Sequence, residues 1–441
     1  MFRSLFEPGA IGTATLKNRL IMAPISSNLA AEDGSVSEKL IHHYAERAMG
    51  GVGMIIVENV CVAYPLARHG AAQPRIDDDL FIPGLCALTE AIHDGGALAS
   101  VELTHPGMNA GLRYIEGETP VAPSAMPRAK DGIVPRELSL DEIGGVIDEF
   151  VEAARRAKQA SFDAVELQAC HGLLINQFLS PLTNHRQDEY GGSLESRARF
   201  LIEIVEGIKY HMGRDYPVMV RLVAKDMMEG GLTLEDGCWL AHCMESAGAD
   251  AIHPDFGLGG KEQRLEPVPY PQAWRVFMPR EIRKAVSIPV IAVGVIREPQ
   301  VAEDILTAGD ADFIALGRAL NGRPGVAQQS ASRGYKQHPA LHRLQRMCDR
   351  SPRGRCASAL RTQRNRRAER RRASVRTKRE PKACVGHWSR PGRHGGSASC
   401  SRTRASGDTV RKTTVSGWGA HHCSHTAGKR ENQLDRGVLR P

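Results

Sequence analysis

The chain has 441 residues, ten cysteines and a formal net charge of +8. The charge is uneven: residues 321–441 hold 29 of the 58 Lys+Arg and 6 of the 50 Asp+Glu, which leaves residues 1–320 acidic. The length allows one large domain or two to three smaller ones, while the absence of any run of about 18 apolar residues excludes a spanning helix.

The N-terminus, "MFRSLFEPGAIGT", lacks the basic and long apolar regions of a secretory signal. Five cysteines (Cys61, Cys86, Cys170, Cys238, Cys243) are scattered through apolar segments. That usage predicts reduced, mostly buried thiols and a cytoplasmic location. Short apolar runs then recur along the chain: "RLIMAPI" (19–25), "GMIIVEN" (53–59), "ALASVELTH" (97–105), "DAVELQA" (163–169), "PVMVRLV" (217–223), "ADAIHP" (249–254), "IPVIAVG" (288–294) and "ADFIALG" (311–317). Each reads as a strand buried on both faces. Helical periodicity lies between them, clearest at 139–160, 194–212, 233–247 and 298–309, and Ser139 with Glu142 has the spacing of a capping box.

Strands alternating with helices over residues 1–320 predict an α/β fold, a TIM (β/α)8 barrel, with a doubly wound open sheet as the alternative. The long insertions 106–138 and 170–193 follow strand C-termini, where such a barrel carries its active-site loops. The last two strands end in Gly294 and in Gly317–Arg318, residues suited to backbone approach and charged contact with a phosphate. Other strand ends carry Glu58 and Asn59, Glu102 and His105, Gln168 and His171, Arg221, and His253 with Asp255. Polar residues gathered at one end of successive strands predict a site for a small molecule.

Several stretches carry a more specific signal: "LKNRLIMAPI", "VELTHPG", "HGLLINQFLSPLTNHRQDEYGGSLESRARF", "VRL" and "ADFIALGRAL". Together they resemble the old yellow enzyme family of NADH:flavin oxidoreductases, in the branch of 2,4-dienoyl-CoA reductase and trimethylamine dehydrogenase. The resemblance covers about residues 3–320. It implies FMN at the barrel mouth, with Ala23, Pro24 and Ile25 lining the flavin. Glu58 and Glu102 would stand among the cofactor-binding residues, and Arg221 beside the N1/O2 edge. Gly294, Gly317 and Arg318 would hold the phosphate. It also implies reduction of an activated C=C bond, with His171 as hydrogen-bond donor or acid/base and Gln168 as its partner. The family's tyrosine position is Leu173, and Glu102 stands where many members have Gln. Both departures suit the alternative, oxidative N-demethylation of an amine. "NHRQDEYGGSLESR" (184–197) reads as a structural loop pinned by its own Arg and Asp groups.

Residues 321–441 lack apolar periodicity, and their cysteines have no cluster spacing. The branch continues with a C-x2-C-x2-C-x12-C site for a 4Fe-4S cluster and then a domain for FAD and NAD(P)H. Reading the codons with one base removed after Leu320 forces Cys at Met347–Cys348 and permits it at Leu341, Leu344 and Leu360, in that spacing. The same shift forces Gly at Trp388–Ser389 within a permitted G-x-G-x-x-G. The tail is therefore expected to be an out-of-frame remnant of these two sites, low in order and carrying no metal as written. A strand eight stripped of its outer helix is expected to be exposed. A non-catalytic protein whose basic tail binds nucleic acid is the contrasting reading; the absence of interleaved aromatic residues argues against it. The remaining expectations are a small-molecule substrate, no membrane partner and compatibility with a homo-oligomer.

Overall fold

The apolar runs pair into one parallel sheet because each is flanked by turn-forming residues and is apolar on both faces. In the computed structural model, residues 2–128, 131–259, 266, 270–322, 324–325, 327 and 330 are described. The expectations for the tail lie outside these residues, apart from its first few positions. The chain divides into two units, 1–369 and 370–441, and all described residues belong to the first.

An antiparallel hairpin, β1 (Gly9–Ile11) and β2 (Ala14–Leu16), precedes the barrel. The barrel strands are β3 (Leu20–Met22), β4 (Met54–Cys61), β5 (Leu98–Thr104), β8 (Ala164–Ala169), β9 (Val218–Met227), β10 (Ala251–Ile252), β12 (Ile291–Val293) and β13 (Phe313–Leu316). They pair in parallel in that cyclic order. Ile252 closes the ring by bridging to Val290, its N–H donating to the Pro289 carbonyl at 3.0 Å. A small ribbon, β6 (Val121–Ala122) with β7 (Arg136–Glu137), sits in the first long insertion. This is the predicted barrel.

Two strands depart from the expected spans. "ADAIHP" is strand only at Ala251–Ile252, and a separate β11 (Asp255–Gly259) pairs with β9 in broken register. The hairpin was not expected; its Ile11 and Leu16 pack inside the barrel against Ile21, Met54, Met219, Ile291 and Phe313. The expected exposure of strand eight is not found: all four residues of β13 are buried.

Outside lie α1 (Arg3–Phe6), α2 (Glu38–Ala48), α3 (Ile82–Asp94), α4 (Leu140–Gln159), α5 (Leu174–Leu179), α6 (Leu194–Met212), α7 (Leu234–Ala247), α8 (Phe277–Ala285), α9 (Pro299–Thr307) and α10 (Arg318–Gly322). The Ser139/Glu142 capping box is formed at the start of α4, and Thr233 with Asp236 makes a second one on α7.

Alternation along the strands sorts the barrel interior into layers. The sequence Ala164, Glu166, Gln168 on β8 climbs from an apolar floor to polar groups, and Ala251, His253, Asp255 does the same around β10. The core is therefore apolar at the strand N-termini and charged at the C-termini.

Candidate active site

Arg221, on β9, is buried and forked between two carboxylates. Its Nη1 donates to Glu102 Oε1 at 3.1 Å and its Nη2 to Asp255 Oδ2 at 2.8 Å. Arg275 donates to the other Asp255 oxygen at 2.6 Å, and His171 Nε2 stands 3.2 Å from Oδ2. Burial alone would raise Asp255, but Arg275, His171 and Arg221 together hold its carboxyl well below the usual range. Among the described residues Glu102 has Arg221 as its one cationic partner, so burial wins there and pushes it up to about 8. The shared guanidinium is thus committed mainly to Asp255.

The charges continue along the mouth. Glu266 Oε1 accepts from Trp274 Nε1 at 3.0 Å and is paired with Arg275 Nε at 3.0 Å. Its Oε2 accepts from Arg318 at 2.8 Å, and its backbone carbonyl accepts from the same guanidinium at 2.7 Å. Donors from three residues therefore converge on one anionic carboxylate, beside the ends of β12 and β13. Gly294 has φ +113°, and a Cβ there would meet Arg275 Nε at 1.8 Å. At Gly317 a Cβ would come within 2.6 Å of Ile25 Cδ1. The left-handed backbone restricts position 294 to glycine, while at 317 a methyl group would require the end of the Ile25 side chain to move.

On the opposite side, Ser27 donates to Glu58 through both its N–H and its hydroxyl, and burial pushes Glu58 up to about 7. The Glu58 N–H donates to Tyr44 Oη at 2.8 Å. Ala23 is held to β13 through its N–H to the Leu316 carbonyl at 3.0 Å, which fixes the start of the Ala23–Pro24–Ile25 segment at the mouth. Gln168 accepts from Thr104 Oγ1 at 2.5 Å, so its amide NH2 group is the remaining donor.

His171 has φ +61°, a left-handed conformation that histidine tolerates better than bulkier residues. Its N–H donates to the Phe256 carbonyl at 3.0 Å, and its side chain is 25% exposed. Burial lowers its pKa against the opposing pull of Asp255. The ionised Asp255 can only accept, so Nε2 carries the proton and Nδ1 is the lone-pair nitrogen of the neutral ring.

The other strand-end histidines differ. His105 accepts from the Gly107 N–H at 3.0 Å and burial holds its pKa near 3. It is a neutral structural residue. His253 lies wholly inside the barrel against Glu166. In the "NHRQDEYGGSLESR" loop, Arg186 pairs with Asp188 at 2.6 Å and donates to the Pro123 and Leu138 carbonyls. It staples two insertions together, as expected of a structural loop. A cavity of about 480 Å3 opens nearby, lined by residues that include His69, Asn109, Arg113, Tyr114 and Arg128.

The structure therefore gathers Glu102, Arg221, His171, Gly294, Gly317 and Arg318 at one end of the barrel, with Gln168 and Glu58 in the same rim. Sequence reasoning assigned no role to Arg275, Glu266 or Trp274, which lie in a loop without periodicity. Asp255 was noted only as a polar strand end, although its place two residues after His253 puts it one layer higher on the same face.

A flavin fits this donor set. The converging Arg275, Arg318 and Trp274 donors already hold one anion, the Glu266 carboxylate. Arg221 Nε has no hydrogen-bond partner among the described residues, a spare donor for an acceptor edge. No group of three or more His, Cys, Asp or Glu able to hold a metal occurs among the described residues. Nor is any helix among them long and apolar enough to cross a membrane.

Comparison with known proteins agrees. The chain is 48% identical over 324 residues to an NADH oxidase of Thermoanaerobacter brockii, covering 73% of this chain and 50% of that protein. It is 38% identical over 342 residues to an NADPH dehydrogenase of Bacillus subtilis (strain 168), covering 77% and 98%. A 2-naphthoyl-CoA reductase bound to 2-naphthoyl-CoA superposes with a TM-score of 0.71 at 30% identity, covering 75% of this chain and 52% of that one. The chain spans about half the length of the first of these relatives. The model of the NADH:flavin oxidoreductase / NADH oxidase family matches residues 4–336, and the chain is a member of that family, an oxidoreductase with FMN as its flavin.

Proposed function

We propose that this oxidoreductase uses NAD(P)H to reduce an activated C=C bond of an enone or an enoyl thioester. FMN, when bound, supplies the two-electron carrier between nicotinamide and substrate. Gly294, Gly317 and Arg318 would hold its phosphate. Arg221 would face its N1/O2 edge, where a cation favours the anionic reduced form. Ala23, Pro24 and Ile25 would wall the ring. His171 and Gln168 would receive the substrate carbonyl.

The observation that carries this reading is the Asp255–His171 pair. Leu173 cannot donate a proton, so the imidazolium form of His171, stabilised by Asp255, is the donor at hand. The similarity to a naphthoyl-CoA reductase supports a thioester substrate. Anaerobic mixing of the FMN-loaded protein with NADH and then cyclohexenone tests it: reoxidation of the flavin with loss of enone is expected. A flavin that stays reduced overturns the reading.

A second reading, oxidation of an N-methyl amine, is favoured by Glu102 at the barrel mouth and by Leu173 in the place of a proton-donating tyrosine. Flavin bleaching by an N-methyl amine alone, without NADH, would select it.

We also infer that residues 321–441 derive from a frameshift, and that the intact frame adds a 4Fe-4S cluster and FAD. The twofold length of the first relative supports this. Resequencing codons 315–365 from source DNA tests it, and an unchanged sequence overturns it.

A further inference from the structure

Four buried polar side-chain atoms of the barrel interior have no hydrogen-bond partner among the described residues: Ser100 Oγ, Glu166 Oε1, Arg221 Nε and His253 Nε2. They come from four successive strand positions of the ring, β5, β8, β9 and the end of β10. The pairings Glu102 with Glu166 and Gln168 with Arg221 set them within adjacent layers. Glu166 and His253 are completely buried, and Glu166 Oε2 lies 2.8 Å from His253 Nδ1.

Arg221 stands among three acidic side chains, Glu102, Asp255 and Glu166, while Arg275 is shared between Asp255 and Glu266. The first two carboxylates are hydrogen-bonded to guanidinium groups. Glu166 is bonded only to an imidazole among the described residues. Beneath it the barrel is apolar, with Ala164, Met219, Ala251 and Ile291. In such a setting a charge acts strongly on its neighbours, and a buried pair of this kind gives no more stability than apolar residues of equal volume. Its field falls on Arg221.

We propose that the Glu166–His253 pair sets the reduction potential of the flavin by fixing the net charge that Arg221 presents at the barrel mouth. This rests on the reading that places Arg221 beside the flavin. The two residues act through Arg221 as positioning residues and form no bond to substrate or cofactor. A carboxylate at Glu166 offsets part of the guanidinium charge and makes reduction harder. The other titratable groups that feel Glu166 are Glu102 on β5, Arg221 on β9 and Cys170 at the end of β8, with Asp255 acting on Arg221 from above.

The test is the midpoint potential of the FMN-loaded full chain at pH 8. Electrons come from dithionite and any protons from solvent. Glu166→Gln is expected to raise the flavin reduction constant at least tenfold at pH 8, about 30 mV for a two-electron couple. A Glu166→Gln reduction constant within twofold of wild type overturns the proposal. Should that variant not fold, Glu166→Met, uncharged and of similar volume, is read by the same two outcomes. Arg221→Lys separates the two levels. If it leaves the flavin potential unchanged, the placement of Arg221 has failed; if it moves the potential while Glu166→Gln does not, only the present inference has failed.

Discussion

Arg221 is the residue whose loss should be felt most widely. Arg221→Met would strand Glu102 and leave Asp255 with one fewer cation, both in a buried setting. Uncompensated buried charge of this kind costs about 3–5 kcal/mol. Urea unfolding of the full chain should show a loss of that order, together with reduced 450 nm absorbance of retained flavin. At His171 the prediction concerns pH. Its pKa is lowered by burial, so the imidazolium needed to donate a proton disappears as pH rises through that lowered value. Enone reduction should therefore fall with rising pH below neutrality, and amine oxidation, which needs the neutral ring, should rise. A rate profile that stays flat at every pH below 6.5 would remove His171 from the proton transfer. These residues were legible in sequence to the extent that they end strands: Glu102, Gln168, Arg221 and Asp255 each follow an apolar run. Arg275 and Glu266 were not, because a loop residue's partners depend on where the loop is folded.

Among the elements, α7 shows how a helix is held against the barrel. A Cβ at Gly237 would meet the Ala224 carbonyl oxygen at 2.2 Å, so the helix rests directly on the backbone of β9. Gly237→Ala should destabilise by roughly 1–3 kcal/mol, seen as a lower urea midpoint at unchanged slope. Gly145, exposed on α4, has nothing within 4 Å of its Cβ position. There the same substitution should stabilise by about 0.5–1 kcal/mol, since only chain entropy is at stake. Opposite signs for one chemical change would check the packing directly. All eight barrel strands were legible from apolar runs, because burial on both faces leaves no other choice of residue. The short β10 was overread, since the apolar run ends at Ile252 and Pro254 cannot donate to a strand ladder. The hairpin escaped notice because three-residue strands are too short to show a period.

For the whole molecule, cofactor and fold should be linked. Flavin that binds only the folded barrel stabilises it by about 2.7 kcal/mol at a free concentration one hundred times Kd. Thermal melts with added FMN should show that shift. Gly294→Ala should erase it, because φ +113° and the Arg275 side chain leave no room for a methyl group. An equal shift in both proteins would move the phosphate site elsewhere.

The line of alternating charges from Glu102 through Arg221, Asp255, Arg275 and Glu266 to Arg318 has a consequence for assembly. Its members come from strands and loops far apart in the chain, and each side chain except Arg318 is almost fully buried. A strand docked one residue out of step would turn Arg221 toward the helices and drop Val220 or Leu222 among the carboxylates. Such a misfolded barrel would carry isolated charges in an apolar interior, a far heavier burden than the mismatched packing alone. The charges that ready the mouth for its cofactor thus also proofread the closure of the ring.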